Sequence, residues 1–305
     1  MSFRLPFPAM AAVALAACSP TQPVAPANTA TLARTGTTAV GGVFVSTNDG
    51  TSNAVIAYDR ADDGTLTLVG TFPTGGAGVA GAVDPLQSQF ALALSPDHRF
   101  LFVVNAGTSD VSSFAVDKGS LTLIDRQPSG GLRPVSVAAS NHRLYVLNAT
   151  DNTIGILAIG NDGSLSAAGS ASLSDRAQGA AAIRLSRNGR LLSVTERVSN
   201  TIDTYVVQPD GSLSAPTSHP SAGAAPFGFD YDTRGHVIVS EAASRSASSY
   251  RQDRAGRLTV VSGAIPVGQA APCWVIVDNG GRFAYTANGG SASITGFAIV
   301  ADRAL

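Results

Sequence analysis

The chain has 305 residues, more than one small core requires, which leaves two domains or one large repeat domain. Its formal net charge is -1 and 13% of its residues are charged, so it offers no basic surface for nucleic acid. Its 32 glycines, with that low charge, suit many short strands joined by tight turns.

Residues 1–17 read as an export signal: Arg4 is followed by a short apolar segment, Ala9–Ala17, that ends in small residues. Leu15-Ala16-Ala17-Cys18 resembles a bacterial lipobox, which makes Cys18 the expected lipidation site. A cleaved signal with a chance cysteine is the alternative. Residues 18–40 are rich in Pro, Thr and Ala and read as a flexible tether. The expectation is a lipid-anchored protein of the cell envelope, periplasmic or extracellular, that meets the membrane only through its anchor. No later apolar run is long enough to span a bilayer. With Cys18 lipidated, Cys273 is expected to have no partner in the chain.

Residues 41–305 carry a repeat. Leu101–Asn105, then Val111–Val116, then Gly119–Leu123 sets the pattern. It returns as Leu144–Asn148, Ile154–Ile159 and Asp162–Leu165, and again from Leu192, Val237 and Ala284. A first copy starts at Val43. The residues that end the leading segment are Asn48, Asn105, Asn148, Glu196, Glu241 and Asn288, spaced by 57, 43, 48, 45 and 47 residues. That period, with four strand-like segments per unit, predicts an all-β propeller of four-stranded antiparallel blades. Six repeats are present. The chain starts at a second strand and ends at the start of an outer one, which reads as a seventh blade missing by truncation. The long first interval holds an inserted loop, Gly75–Gln89.

Each unit also has an apolar innermost strand, such as Val135–Ala139 or Ala181–Leu185. The turn after it contains His98 and His142 where other units have Gly189, Gly235 and Gly281, a slot expected to need positive φ. His236 falls in the neighbouring Arg slot, so three of the four histidines read as turn residues.

Alternation of antiparallel strands places the end-of-strand residues and the lead-ins to the innermost strands on one face of the disc. The expected polar site there comprises Glu196 and Glu241 as catalytic carboxylates, with Arg133, Asn105, Asn148, Gln178, Gln269 and Asn288 as substrate-binding groups. The asparagines also fit a simpler role, capping turns through the backbone. The four histidines do not cluster, two cysteines cannot make a zinc site alone, and neither cofactor nor metal is expected.

The run Gln269–Asn288, with Ser129–Ser136, Leu192–Glu196 and Pro226–Phe229 followed by Val239–Ala242, resembles the lactonase, seven-bladed propeller family over residues 41–305. That family includes 6-phosphogluconolactonases and fungal carboxymuconate cyclases. The resemblance implies a lactone, or carboxylic ester, hydrolase acting on a lactone or sugar derivative, as a monomer, without nucleic acid. It implies Glu196 as the acidic group, with Asn148, Gln178 and Arg133 orienting substrate. Gln178 stands where characterised members have a histidine, and glutamine cannot titrate. A non-catalytic propeller that binds a ligand or a protein is therefore the rival reading.

Overall fold

The computed structural model describes residues 39–300 and residue 305. The export signal, Cys18 and the tether as far as residue 38 lie outside the described residues. Strands run through the described residues with no helix among them.

The strands form six antiparallel sheets. The first sheet is β1 (Ala39–Ser46), β2 (Ala54–Ala61) and β3 (Leu66–Pro73). The second is β4 (Leu92–Leu94), β5 (Phe100–Asn105), β6 (Asp110–Asp117) and β7 (Ser120–Pro128). The third is β8 (Pro134–Ala139), β9 (Arg143–Asn148), β10 (Thr153–Ile159) and β11 (Leu165–Ser172). The fourth is β12 (Ala180–Leu185), β13 (Leu191–Glu196), β14 (Thr201–Val206) and β15 (Thr217–Pro220). The fifth is β16 (Pro226–Tyr231), β17 (His236–Glu241), β18 (Ser246–Gln252) and β19 (Leu258–Pro266). The sixth is β20 (Pro272–Val277), β21 (Phe283–Asn288) and β22 (Ser293–Ala298).

Neighbouring sheets touch through their first strands, β4 with β8, β8 with β12, β12 with β16 and β16 with β20. These strands surround an axis and the later ones radiate outward, so each sheet is one blade of a propeller. Four blades have four strands, while the first and last have three among the described residues.

Burial explains the arrangement. The inner strands β12 and β16 are packed on both faces and carry small or aromatic apolar residues. Outer strands such as β11 are mostly exposed. The core lies between blades, where Phe102, Val104, Val135, Tyr145, Leu147 and Ile154 interlock. Buried tyrosines tie blade to blade through their hydroxyls: Tyr145 donates to the Gly211 carbonyl and Tyr205 to the Ser172 carbonyl, each at 3.0 Å.

The turn between the first two strands supports the histidine reading at His98, which has φ 60° beside Gly189 at 69° and Gly281 at 64°. His142 departs from it, because blade 3 closes this turn with two residues fewer than blades 2, 4 and 6 and needs no left-handed residue there. His236 is held in its turn by Asp232, with Nδ1 2.8 Å from Oδ2.

The inserted loop contains no strand between Thr74 and Ala91. It crosses the disc and puts Gln89 into the axis. The Gln89 backbone N–H donates to Ala181, and its carbonyl accepts from the Ser136 hydroxyl. Its side-chain amide exchanges two hydrogen bonds with the Val275 backbone, at 2.8 and 3.1 Å. Gly228 lies so close that only a residue without Cβ leaves space for the Gln89 side chain. One glutamine thus touches the inner strands of blades 3, 4, 5 and 6.

Candidate functional site

Five of the six end-of-strand residues close the second strand of their blade, β5, β9, β13, β17 and β21, and so stand on one face. Their side chains are nearly or wholly buried and turn along the blade toward its third strand. They meet partners five and seven positions later, because the register that pairs Asn105 with Asp110 puts Ser112 on the same side. Asn105 Nδ2 donates to Asp110 (2.6 Å) and Ser112 (2.8 Å), while Oδ1 accepts from Asn53 and Thr74. Asn288 donates to Ser293 and Thr295. Asn148 makes longer bonds, 3.3 Å to Thr153 and 3.4 Å to the Ser129 carbonyl.

Glu241 is filled completely. Oε1 accepts from Ser221, Ser248 and the Gly223 N–H, and Oε2 from Ser246. Glu196 is not. Its Oε2 accepts from Ser199 and Thr201, both at 2.8 Å, but its buried Oε1 has no donor. The residue seven positions on is Asp203, also buried, whose Oδ2 accepts from the Ser174 N–H while Oδ1 has no donor. Burial, reinforced by the Asp203 charge, pushes the Glu196 carboxyl up to about 7.

The mouth of the axis on this face is lined by residues that follow the buried ones and by the inserted loop. Arg133, in the left-handed region at φ 58°, leads into β8 and donates to the Pro85 carbonyl. Arg197, just after Glu196, donates to Gln87 at 2.6 Å and lies over the Phe227 ring at 5.6 Å. Its Nε–H is buried and has no acceptor. Phe227 meets Trp274 edge to face, and the Trp274 indole N–H donates to the Ser88 carbonyl.

Asp84 completes the group. Its Oδ2 is buried without a donor, and burial pushes its carboxyl above the usual range against hydrogen bonds from Ser88 and Gln87 and the Arg197 charge. Burial also pulls Arg197 down; Asp84 opposes this and the Arg133 charge adds to it. Two guanidiniums and a carboxyl therefore share one electrostatic environment. A cavity of about 620 Å³ opens beside Asp84, with Asn48, Asp49, Pro85 and Trp274 in its wall.

Among the expected site residues, Arg133 and Gln178 lead into the inner strands of blades 3 and 4 beside this mouth, and Glu196 is wholly buried within blade 4 behind them. Ser199 Oγ connects two of them, donating to Glu196 and accepting from the Gln178 N–H at 3.3 Å. Gln269 is exposed on the connection between β19 and β20. Asn105, Asn148, Glu241 and Asn288 sit inside their blades, not in the wall of the mouth. Sequence reasoning missed Asp84, Gln87 and Arg197. Arg197 had a signal, since it follows an end-of-strand glutamate directly. Asp84 and Gln87 lie in an insertion with no counterpart in the other repeats.

Cys273 is buried and disulfide-bonded, which corrects the expectation that it has no partner. Among the described residues no cluster of His, Cys, Asp and Glu is suited to a metal ion.

The chain is 27% identical over 273 residues to a 6-phosphogluconolactonase of Yersinia pestis, covering 73% of this chain and 80% of that one. A crystal structure of a Lactobacillus plantarum protein superposes with a TM-score of 0.59 at 26% identity, over 70% of this chain and 66% of that one. The periplasmic gluconolactonase of Pseudomonas aeruginosa superposes with a TM-score of 0.71 over 87% of this chain and 80% of that one. Its 19% identity makes this a likeness of fold. The family model described as lactonase, 7-bladed beta-propeller matches residues 48–171 and 92–271. On that match, the chain belongs to the lactonase family of β-propellers.

Proposed function

We propose that the protein hydrolyses the ring ester of a small anionic lactone at the axial mouth between blades 3 and 4. One observation carries the proposal: Arg133, Arg197 and Asp84 share one electrostatic environment at this mouth, and the Arg197 Nε–H is a buried donor without an acceptor. A guanidinium held in place with a free N–H suits a carboxylate, a phosphate or a developing oxyanion. The resemblance to 6-phosphogluconolactonases supports a sugar-derived substrate.

The chemistry follows from the groups available. Asp84, with its carboxyl raised by burial, takes a proton from the attacking water. Arg197 stabilises the oxyanion formed on the carbonyl, and Arg133 holds the substrate's own anionic group. As the ring C–O bond breaks, the departing oxygen is protonated from the Glu196 side through the Ser199 hydroxyl. Gln178 orients ring hydroxyls, and Asn148 supports Arg133 through the adjoining backbone, where the Ala149 N–H donates to the Arg133 carbonyl. The product is the open hydroxy acid.

The test is a hydrolysis screen over sugar and sugar-phosphate lactones. Glu196→Gln is expected to lower kcat by roughly 10²–10⁴-fold, and Arg197→Met to lower kcat/KM on anionic lactones more than on neutral ones. Unchanged turnover in both variants removes these roles. The wholly buried Glu196 and the non-titrating Gln178 favour a second reading, a binding propeller without turnover. That reading expects no hydrolysis across the panel and retained, Arg197-dependent binding of the same lactones.

We place the protein in the cell envelope on the strength of its export signal, and a disulfide at Cys273 suits an oxidising compartment. The mass of the mature protein tests the anchor. A lipid thioether on Cys18 survives reduction, whereas a bond between the chain's two cysteines shows as a gain of two hydrogens.

A further inference from the structure

In blades 2, 5 and 6 the end-of-strand side chain hydrogen-bonds to the residue seven positions later across the second and third strands, while in blade 3 that position is Gly155. Asn105 meets Ser112 at 2.8 Å, Glu241 meets Ser248 at 2.7 Å and Asn288 meets Thr295 at 2.9 Å. Each of these pairs has a donor. Blade 4 puts a carboxyl at both places, Glu196 on β13 and Asp203 on β14, and both side chains are fully buried. The two oxygens left without donors are Glu196 Oε1 and Asp203 Oδ1. Two acceptors facing each other out of water need a proton between them.

We propose that Glu196 and Asp203 share a single proton across β13 and β14, and that Asp203 is a positioning residue that keeps Glu196 in its proton-bearing form beside the mouth. The proton comes from water on folding, and one negative charge stays in the pair. Of the four oxygens only Glu196 Oε2 and Asp203 Oδ2 receive donors, the Ser199 and Thr201 hydroxyls on the first and the Ser174 N–H on the second. The facing strands of blade 3, β10 and β11, carry no ionisable side chain that could neutralise a second charge. On β14, Tyr205 is pushed up by its burial and by both carboxyls, so it stays neutral. On β15, His219 is pulled down by burial, with the Asp203 charge opposing. Arg184 on β12 is already paired with Asp230 on β16, and Arg197 faces the other way, onto Gln87.

The role at the mouth rests on the hydrolase reading, but the shared proton does not, and the experiment separates them. Infrared difference spectra of the full chain are recorded between pH 5 and pH 9 for wild type, Asp203→Asn and Glu196→Gln. A protonated-carboxyl band is expected in wild type at pH 6. It should be absent in Glu196→Gln, whose amide donates to Asp203 in the proton's place. In Asp203→Asn it should disappear at a pH at least one unit lower, because the like charge is gone. Where hydrolysis is measurable, kcat in Asp203→Asn should shift its pH dependence by the same amount with little change in KM. Absence of the band in wild type at pH 6, or its persistence in Glu196→Gln, overturns the shared proton. A wild-type band with no hydrolysis of any lactone leaves the pair standing and removes the hydrolase reading. Should Asp203→Asn fail to fold, Glu196→Gln still decides the first point.

Discussion

Glu196 and Glu241 occupy the same position in adjacent blades, yet their surroundings give them different chemistry. Five donors surround Glu241, whereas Glu196 has two hydroxyls and a neighbouring carboxyl. The fold therefore favours the protonated form of Glu196, and this fixes the sign of its pH effect. With the carboxyl raised from 4.5 to about 7, the stabilisation is complete below pH 4.5 and is lost as pH rises to about 7. Glu196→Gln cannot ionise, so it should be more stable than wild type at pH 8, by roughly 1–3 kcal/mol, and close to it at pH 4.5. Urea denaturation at the two pH values measures this, and a variant less stable at pH 8 contradicts it. Both glutamates were legible in the sequence, because they break a column of asparagines. Asp203 was not, since its meeting with Glu196 depends on the strand register, which the repeat alone leaves open.

At the scale of the element, the blade is held at its end by a polar ladder that replaces apolar packing. The connection into each inner strand must pass close to that ladder. At Gly131 an added Cβ would lie 2.6 Å from Asn148 Nδ2 and 2.5 Å from the Thr153 hydroxyl. Gly131→Ala should therefore destabilise by about 1–3 kcal/mol, read as a lower denaturation midpoint, whereas Ala at an exposed glycine such as Gly41 should have little effect. Repeat period, strand count and the shared face were all readable, because each blade reuses one pattern of apolar and turn residues. The inserted loop was readable only as a loop. Its path is set by hydrogen bonds to blades 3, 4 and 6 and by the close approach of Gly228 in blade 5, and nothing local in Gly75–Gln89 encodes them. That is why Asp84 and Gln87 escaped the sequence reading while Arg133 and Gln178 did not.

At the scale of the whole molecule, the blades are unequal. Blades 2 to 4 share the largest buried cluster, whereas the outlying blades expose apolar side chains, with Leu68 at 61% and Ile294 at 74%. Hydrogen exchange should therefore be fastest in β1–β3 and β20–β22 and slowest in β9, β10 and β13. Uniform protection around the ring would contradict this. The glutamine at the centre has its own effect on traffic. Gln89 spans the axis between the inner strands of blades 3 to 6, so a molecule that reaches the guanidiniums is expected to leave by the face through which it came. If the protein hydrolyses an anionic lactone as proposed, the opened hydroxy acid keeps the anionic handle of its parent, so leftover product should compete with fresh substrate and late time points should slow accordingly.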